Sequence, residues 1–178
     1  MRLVGVVGSL RKGSYNKMLM RAAIAALPAA AQCTVLDLGD IPLFNADQEQ
    51  NPPGPVTQLK TAVAAADAVL MVTPEYNYSF SGVLKNAIDW LSRPPADDSI
   101  AGKKVAILGA SDGRFGTVRA QYHLRQALLG ASAHVFDGGE FFVTFAKEKF
   151  NEQGELTDQE TRQKLNKFME KFAVWIES

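Results

Sequence analysis

Residues 3–7, Leu-Val-Gly-Val-Val, form an almost unbroken apolar run rich in β-branched side chains, the pattern of a strand covered on both faces within a parallel sheet. A polar loop follows at 8–16, and then Tyr15, Leu19, Ala22 and Ala26 mark the inner stripe of a helix. The alternation repeats. Residues 34–38 predict a second strand, and Val56, Leu59 and Val63 the buried side of a second helix. Residues 68–72 predict a third strand, followed by a helix with Leu84, Ala87, Ile88 and Leu91 on one face that stops by Pro94-Pro95. Residues 105–108 predict the fourth strand, and a polar loop at 109–116 leads to a helix bearing Leu124, Ala127 and Leu128. A short fifth strand is expected at 133–136. Thr157-Asp158-Gln159-Glu160 fits a capping box with Thr157 as the cap, and the helix it opens carries Leu165, Phe168, Met169, Phe172 and Ile176 at helical spacing.

Five strands alternating with five helices imply right-handed crossovers and an α/β three-layer sandwich, with a five-stranded parallel sheet covered by helices on both faces. The expected strand order is 2-1-3-4-5, in one domain spanning residues 1–178. In that order strands one and three lead their chains to opposite sides, and a ligand settles in the crevice at their carboxyl ends. The loops leaving those strands, 8–16 and 74–82, are the most polar and distinctive of the chain. Topology and composition therefore choose the same place.

Charge narrows the partner classes. The 19 basic and 19 acidic residues cancel, so no general basic field is available for nucleic acid or an anionic membrane, and no net charge opposes self-association. The apolar run near Met1 is too short for a signal peptide or a spanning helix, and a cytoplasmic location is expected by default. Cys33 stands alone, which excludes a disulfide framework, a Cys-x-x-Cys pair and a cysteine zinc site; it is expected to act as a small buried residue. His123 and His134 are the only histidines, and neither falls in a cluster with metal-ligand spacing.

The first loop, Gly8-Ser9-Leu10-Arg11-Lys12-Gly13-Ser14-Tyr15-Asn16, offers backbone amides, the Ser9 and Ser14 hydroxyls, the Arg11 guanidinium and the positive end of a helix. That combination suits a phosphate monoester. The plainer role is a helix cap by Ser14 or Asn16, and the two roles are compatible. The order Lys12-Gly13-Ser14 is not a Walker loop, and the glycine spacing is not a dinucleotide fingerprint. In the second loop, Thr73-Pro74-Glu75-Tyr76-Asn77-Tyr78-Ser79, Pro74 ends the strand and leaves the following amides free, while the aromatics suit a flat ligand.

These two loops, together with Leu84-Lys85-Asn86-Ala87-Ile88-Asp89-Trp90-Leu91-Ser92-Arg93-Pro94, closely resemble the NADPH-dependent FMN reductase family and its flavodoxin-like fold. Within it the resemblance is nearest to the chromate and quinone reductase branch. Asp40-Ile41-Pro42-Leu43-Phe44, Gln121-Tyr122-His123-Leu124-Arg125 and Asn151-Glu152-Gln153-Gly154-Glu155-Leu156 extend it over nearly the whole chain. The resemblance implies that Ser9, Arg11, Ser14, Tyr15 and Asn16 hold the phosphate and ribityl end of FMN. Pro74, Glu75, Tyr76, Asn77 and Tyr78 would line the isoalloxazine edge, largely through main-chain groups, and Ser111 with Gly113 would close the other side. Phe115 would cover the ring or narrow the acceptor pocket and Arg114 would attract the nicotinamide 2′-phosphate; equally, both would stand in solvent or in a subunit contact.

By the same resemblance, NAD(P)H reduces FMN in a ping-pong cycle and the flavin then reduces quinones, with chromate, azo compounds or free flavin as further acceptors. No side-chain acid, nucleophile or metal is required, because the cofactor carries the chemistry. NADPH or NADH serves as co-substrate, and a homodimer or homotetramer is implied, with Tyr78, Arg125 and Glu140 as contacts. The competing expectation is a flavodoxin-like electron carrier without nicotinamide turnover. A phosphoacceptor signalling domain is discounted, since Gly8-Ser9 stands where an acidic pocket is needed.

Overall fold

The computed structural model describes residues 1–178 and arranges six strands in one sheet: β1 (Arg2–Val7), β2 (Gln32–Leu36), β3 (Ala68–Val72), β4 (Lys104–Ala110), β5 (His134–Val135) and β6 (Phe141–Val143). The order is β2-β1-β3-β4-β5 and every pairing is parallel, as the strand and helix alternation implies. The sixth strand is an addition to the expected five. It pairs with Leu108, Gly109 and Ala110 of β4, whereas β5 pairs with Lys104 and Val105. One edge position is thus filled by two short pieces in tandem, interrupted at 136–140, where Gly139 adopts φ +139, a conformation that favours glycine.

Around the sheet lie α1 (Tyr15–Ala25), α2 (Gly54–Ala65), α3 (Gly82–Leu91), α4 (Val118–Gly130), the short α5 (Ala146–Lys149) and α6 (Gln159–Glu177). Successive strand residues face opposite sides, which divides the core into two layers. Leu3, Val7, Leu70 and Val72 pack with Leu19 and Met20 of α1 and with Phe168 and Phe172 of α6. Val4, Val6, Val69 and Met71 pack with α2, α3 and α4 through Leu59, Leu84, Leu91 and Leu124.

Several boundaries differ from expectation. β2 occupies 32–36 rather than 34–38, because its register places Gln32 opposite Arg2; the chain then turns at Asp37, whose Oδ1 accepts the Gly39 N–H at 3.0 Å. β4 extends beyond 105–108 at both ends and β5 is shorter than 133–136. The cap of α6 is Asp158, not Thr157: the Asp158 carboxylate accepts the Thr161 N–H at 2.8 Å, while Thr157 donates its hydroxyl to the Lys149 carbonyl at 3.2 Å. The Phe150–Leu156 bridge holds the approach to α6 as a turn against α5, which leaves Thr157 facing Lys149. Glu160, expected to reach back to the cap, is instead paired with Lys164 at 2.5 Å.

Two glycines set how closely the site-bearing loops approach. A Cβ on Gly8 would lie 2.5 Å from Ser81 Oγ and 2.6 Å from Leu84 Cδ1, so the exit of β1 seats directly on the start of α3. At Gly109 a Cβ would lie 1.9 Å from Thr117 Oγ1 and 2.6 Å from the Thr73 carbonyl oxygen, so β4 lies against the end of β3 and the start of α4. No helix is long and apolar enough to cross a membrane.

Candidate functional site

Three loops meet at the carboxyl edge of the sheet. In the first, Gly8 donates to the Val72 carbonyl at 2.9 Å, the last backbone bond before the chain leaves the sheet. The N–H groups of Ser9, Leu10, Arg11, Lys12, Gly13 and Ser14 then donate to no acceptor in the chain. Ser9 and Ser14 are buried and Leu10 to Gly13 exposed, and a run of free donors at a helix start suits an anion. Ser14 caps α1, its hydroxyl accepting the Asn16 N–H at 3.2 Å, while Ser9 is 4% exposed and its hydroxyl makes no hydrogen bond. Arg11 is exposed, with its guanidinium 5.9 Å from the centre of the Tyr15 ring; Tyr15 in turn stacks on Phe150.

Asn16 differs from its neighbours. Its side chain is buried and clasps Ala110, donating one N–H to that carbonyl and accepting from that N–H. It therefore ties the first loop to the third.

The second loop is a tight hairpin. Tyr76 and Ser79 exchange backbone hydrogen bonds of 2.9 and 3.0 Å, and Asn77 and Tyr78 between them adopt φ +50 and +67, the pattern of a primed two-residue turn. Tyrosine in that region is strained by about 1–3 kcal/mol, so the surroundings must hold it. They do so through α4. The Glu75 carboxylate accepts the N–H groups of Arg119 (3.0 Å) and Ala120 (3.2 Å) and pairs with the Arg119 guanidinium at 3.0 Å. That guanidinium stands 4.1 Å from the Tyr78 ring centre and 4.5 Å from that of Phe115. His123 Nδ1 and Ser79 Oγ lie 3.1 Å apart. Glu75 and Tyr78 are thus fixed by the helix, and the main chain of the hairpin is left to face the crevice. The loop after β2 is fixed on the other flank, with Asn86 and Trp90 of α3 both donating to the Pro42 carbonyl at 2.8 Å.

In the third loop Ser111 Oγ accepts the Gly113 N–H at 3.1 Å, and the Ser111 N–H donates to the Val143 carbonyl at 3.0 Å. Arg114 stands over the Phe115 ring at 4.6 Å. Arg125 donates within the chain to the Phe136 carbonyl at 3.1 Å, and Glu140 pushes the neighbouring Tyr122 hydroxyl to a higher pKa by hydrogen bonding and charge.

Arg119 was invisible to sequence reasoning: it lies in the first turn of a helix predicted only from Leu124, Ala127 and Leu128, and only the unexplained charge of Glu75 hinted at a partner. The main clefts of the surface lie beside this crevice rather than in it, one of them reaching Ser9 from the β2 side along Lys17, Arg21 and Asp37.

The sequence profile of the NADPH-dependent FMN reductases matches residues 1–148. The chain belongs to that family. It is 44% identical over 176 residues to an NAD(P)H-dependent FMN reductase of Pseudomonas aeruginosa, covering 98% of this chain and 95% of the relative. To the quinone reductase of Escherichia coli K12 it is 44% identical over 181 residues, covering 99% of this chain and 96% of that protein. Among solved structures it is similar to FerB, a flavoenzyme NAD(P)H:(acceptor) oxidoreductase from Paracoccus denitrificans, with a TM-score of 0.92, 36% identity and coverage of 99% and 97%. A flavodoxin from Archaea, at 14% identity and a TM-score of 0.66 over the whole of both chains, shares the fold.

Proposed function

We propose that this FMN reductase family member is an FMN-dependent NAD(P)H oxidoreductase whose acceptors are quinones. The observation that carries the reading is the row of unpaired N–H groups from Ser9 to Ser14 at the start of α1, set beside a hairpin whose main chain is held open by Glu75 and Arg119. A phosphate fits the first and a flat heterocycle with carbonyl and imide edges fits the second. Ser9, Arg11 and Ser14 hold the phosphate end, and Tyr15 flanks it. Asn16 joins them at the end of the loop, its side chain also fixing that loop to Ala110. Main-chain groups of Pro74, Glu75, Tyr76, Asn77 and Tyr78 meet one edge of the ring, and Ser111 and Gly113 close the opposite side.

Bound FMN supplies hydride acceptance from NAD(P)H and electron donation to the acceptor, and the protein supplies position and a shaped opening. The Tyr78 and Phe115 rings, locked about Arg119, wall that opening. The reduced nucleotide and the quinone use it in turn, which gives ping-pong behaviour; chromate, azo compounds and free flavin are further acceptors of the same class. A homodimer or homotetramer completes the crevice, a reading supported by the exposed Tyr76, Tyr78, Phe115 and Tyr122 and by the balanced charge. A pyridine-nucleotide reductase works where that nucleotide is regenerated, which supports the cytoplasm as its location.

The test is spectroscopic. Protein reconstituted with FMN is mixed with NADPH without oxygen; the visible flavin band should bleach rapidly and return when benzoquinone is added. Folded protein that refuses FMN, or holds it without bleaching, would overturn the reading.

A further inference from the structure

Between β6 and α6 runs a groove of about 480 Å³. Its floor is apolar, formed by Phe141, Phe142 and Phe168, and its wall is cationic, formed by Lys149 from α5 and by Lys164, Lys167 and Lys171 from α6. The three α6 lysines are spaced three and four apart, so they share one face of the helix. Lys164 is paired with Glu160, but Lys149, Lys167 and Lys171 make no ion pair. Asp158 lies near Lys149 and Lys164; hydrogen bonds from Thr161, and to a smaller extent the two lysine charges, hold its carboxyl below the ordinary range. The lining includes a single carboxylate, Glu140. In a chain with no net charge, this is a local excess of positive charge over an aromatic floor.

The groove borders the third loop of the candidate site. The third loop is stitched to β6 by the Ser111 N–H and the Val143 carbonyl, and to α5 by the Lys147 N–H and Asp112 Oδ1, both at 3.0 Å. Gly116 lies so close to Phe142 that a Cβ would stand 3.1 Å from the Phe142 Cβ. A ligand with its reactive end beside Ser111 and Gly113 therefore has a path over the third loop onto Phe142.

Resting on the oxidoreductase reading, we propose that this groove receives the phosphorylated adenosine end of NADPH. Lys167 and Lys171 meet the 2′-phosphate, which is dianionic at neutral pH, and Phe142 offers a face to the adenine. NADH lacks that phosphate, so the groove is a device for choosing NADPH. Arg114, in the third loop itself, stands over the Phe115 ring, and Arg119 beside it is paired with Glu75.

The test uses the FMN-loaded protein and the double variant K167A/K171A. The wild type is expected to show a lower KM for NADPH than for NADH. In the variant the NADPH KM should rise roughly tenfold, the size expected when charge-assisted contacts are lost, while the NADH KM and both kcat values stay unchanged. Titration calorimetry with 2′-phospho-AMP reads the groove without turnover: affinity should fall by a similar factor in the variant, fall with added salt in the wild type, and survive in K167R/K171R. Equal KM values for the two nucleotides in the wild type, unchanged 2′-phospho-AMP affinity in the variant, or inorganic phosphate competing as strongly as 2′-phospho-AMP would each overturn the proposal. So would loss of discrimination in R114A with discrimination kept in K167A/K171A. Failure of both nucleotides to reduce the flavin would sink the oxidoreductase reading instead, and the calorimetry would still report on the groove.

Discussion

Asn16 and Ala110 hold one another by two hydrogen bonds, the Asn16 amide donating to the Ala110 carbonyl at 2.9 Å and its oxygen accepting the Ala110 N–H at 2.8 Å. Both residues are buried, so the pair acts as a clasp between the first and third site loops. Asn16→Ala leaves a buried donor and a buried acceptor without partners. It should cost about 1–3 kcal/mol in urea unfolding and weaken FMN retention. Asn16→Asp keeps the acceptor but sets a buried carboxylate oxygen against the Ala110 carbonyl, and should destabilise at least as much at neutral pH. Wild-type stability in Asn16→Ala would disprove the clasp.

Gly109 sits where three elements converge, and its place is set by space rather than by backbone angle. A methyl group there meets Thr117 Oγ1 at 1.9 Å and the Thr73 carbonyl oxygen at 2.6 Å. Gly109→Ala must push α4 away from the sheet, at a cost of about 3 kcal/mol, the upper end for overpacking. The double variant Gly109→Ala with Thr117→Gly removes the closer clash and should recover part of the loss by thermal melting.

The architecture was readable because β1, β3 and β4 are long apolar runs and each helix has a regular stripe; β3 begins and ends at the expected residues. The split edge was not readable. β5 and β6 contain two and three residues, too few to show a period, and their pairing is decided by β4. Asp158 displaced Thr157 as the cap because a tertiary contact, the hydroxyl of Thr157 on Lys149, outweighed a local motif of equal merit. The site loops were legible from composition, since both are polar where a connector need not be. The roles within them were less so: a polar side chain such as Asn16 or Glu75 reads the same whether it faces a ligand or, as found, Ala110 and α4.

Glu75 binds the start of α4 through two backbone N–H groups and the Arg119 side chain. Glu75→Ala removes a carboxylate from a helix N-terminus and frees Arg119, which should cost about 1–2 kcal/mol and loosen the strained Tyr78 turn. Because the turn walls the opening that both substrates use, the KM values for quinone and for NAD(P)H should both rise. Unchanged KM values beside a lowered melting temperature would show that the residue serves only stability.

Asp158 caps α6, and hydrogen bonds from the Thr161 side chain and the Thr161 N–H hold its carboxyl below the ordinary value of 3.8. A group depressed on folding stabilises the protein above its unfolded pKa and loses that contribution as pH falls through the folded value. The melting-temperature gap between wild type and Asp158→Ala should therefore be full at neutral pH and close in acid below 3.8. A gap that persists unchanged in acid would mean that the charge of the cap is irrelevant.

Cys33 pairs with Leu3 across the sheet and its thiol is pushed up to about 11 by burial alone. The thiolate is the reactive form, so at neutral pH almost none is present and alkylation should be slow in native protein and fast in urea. Cys33→Ser should leave turnover per bound flavin unchanged, because the residue belongs to β2, at its start, and the site lies at the opposite end of the strands. Loss of turnover at normal flavin occupancy would place a thiol in the electron path, which the parallel order of β1 and β2 does not allow without a rearranged sheet.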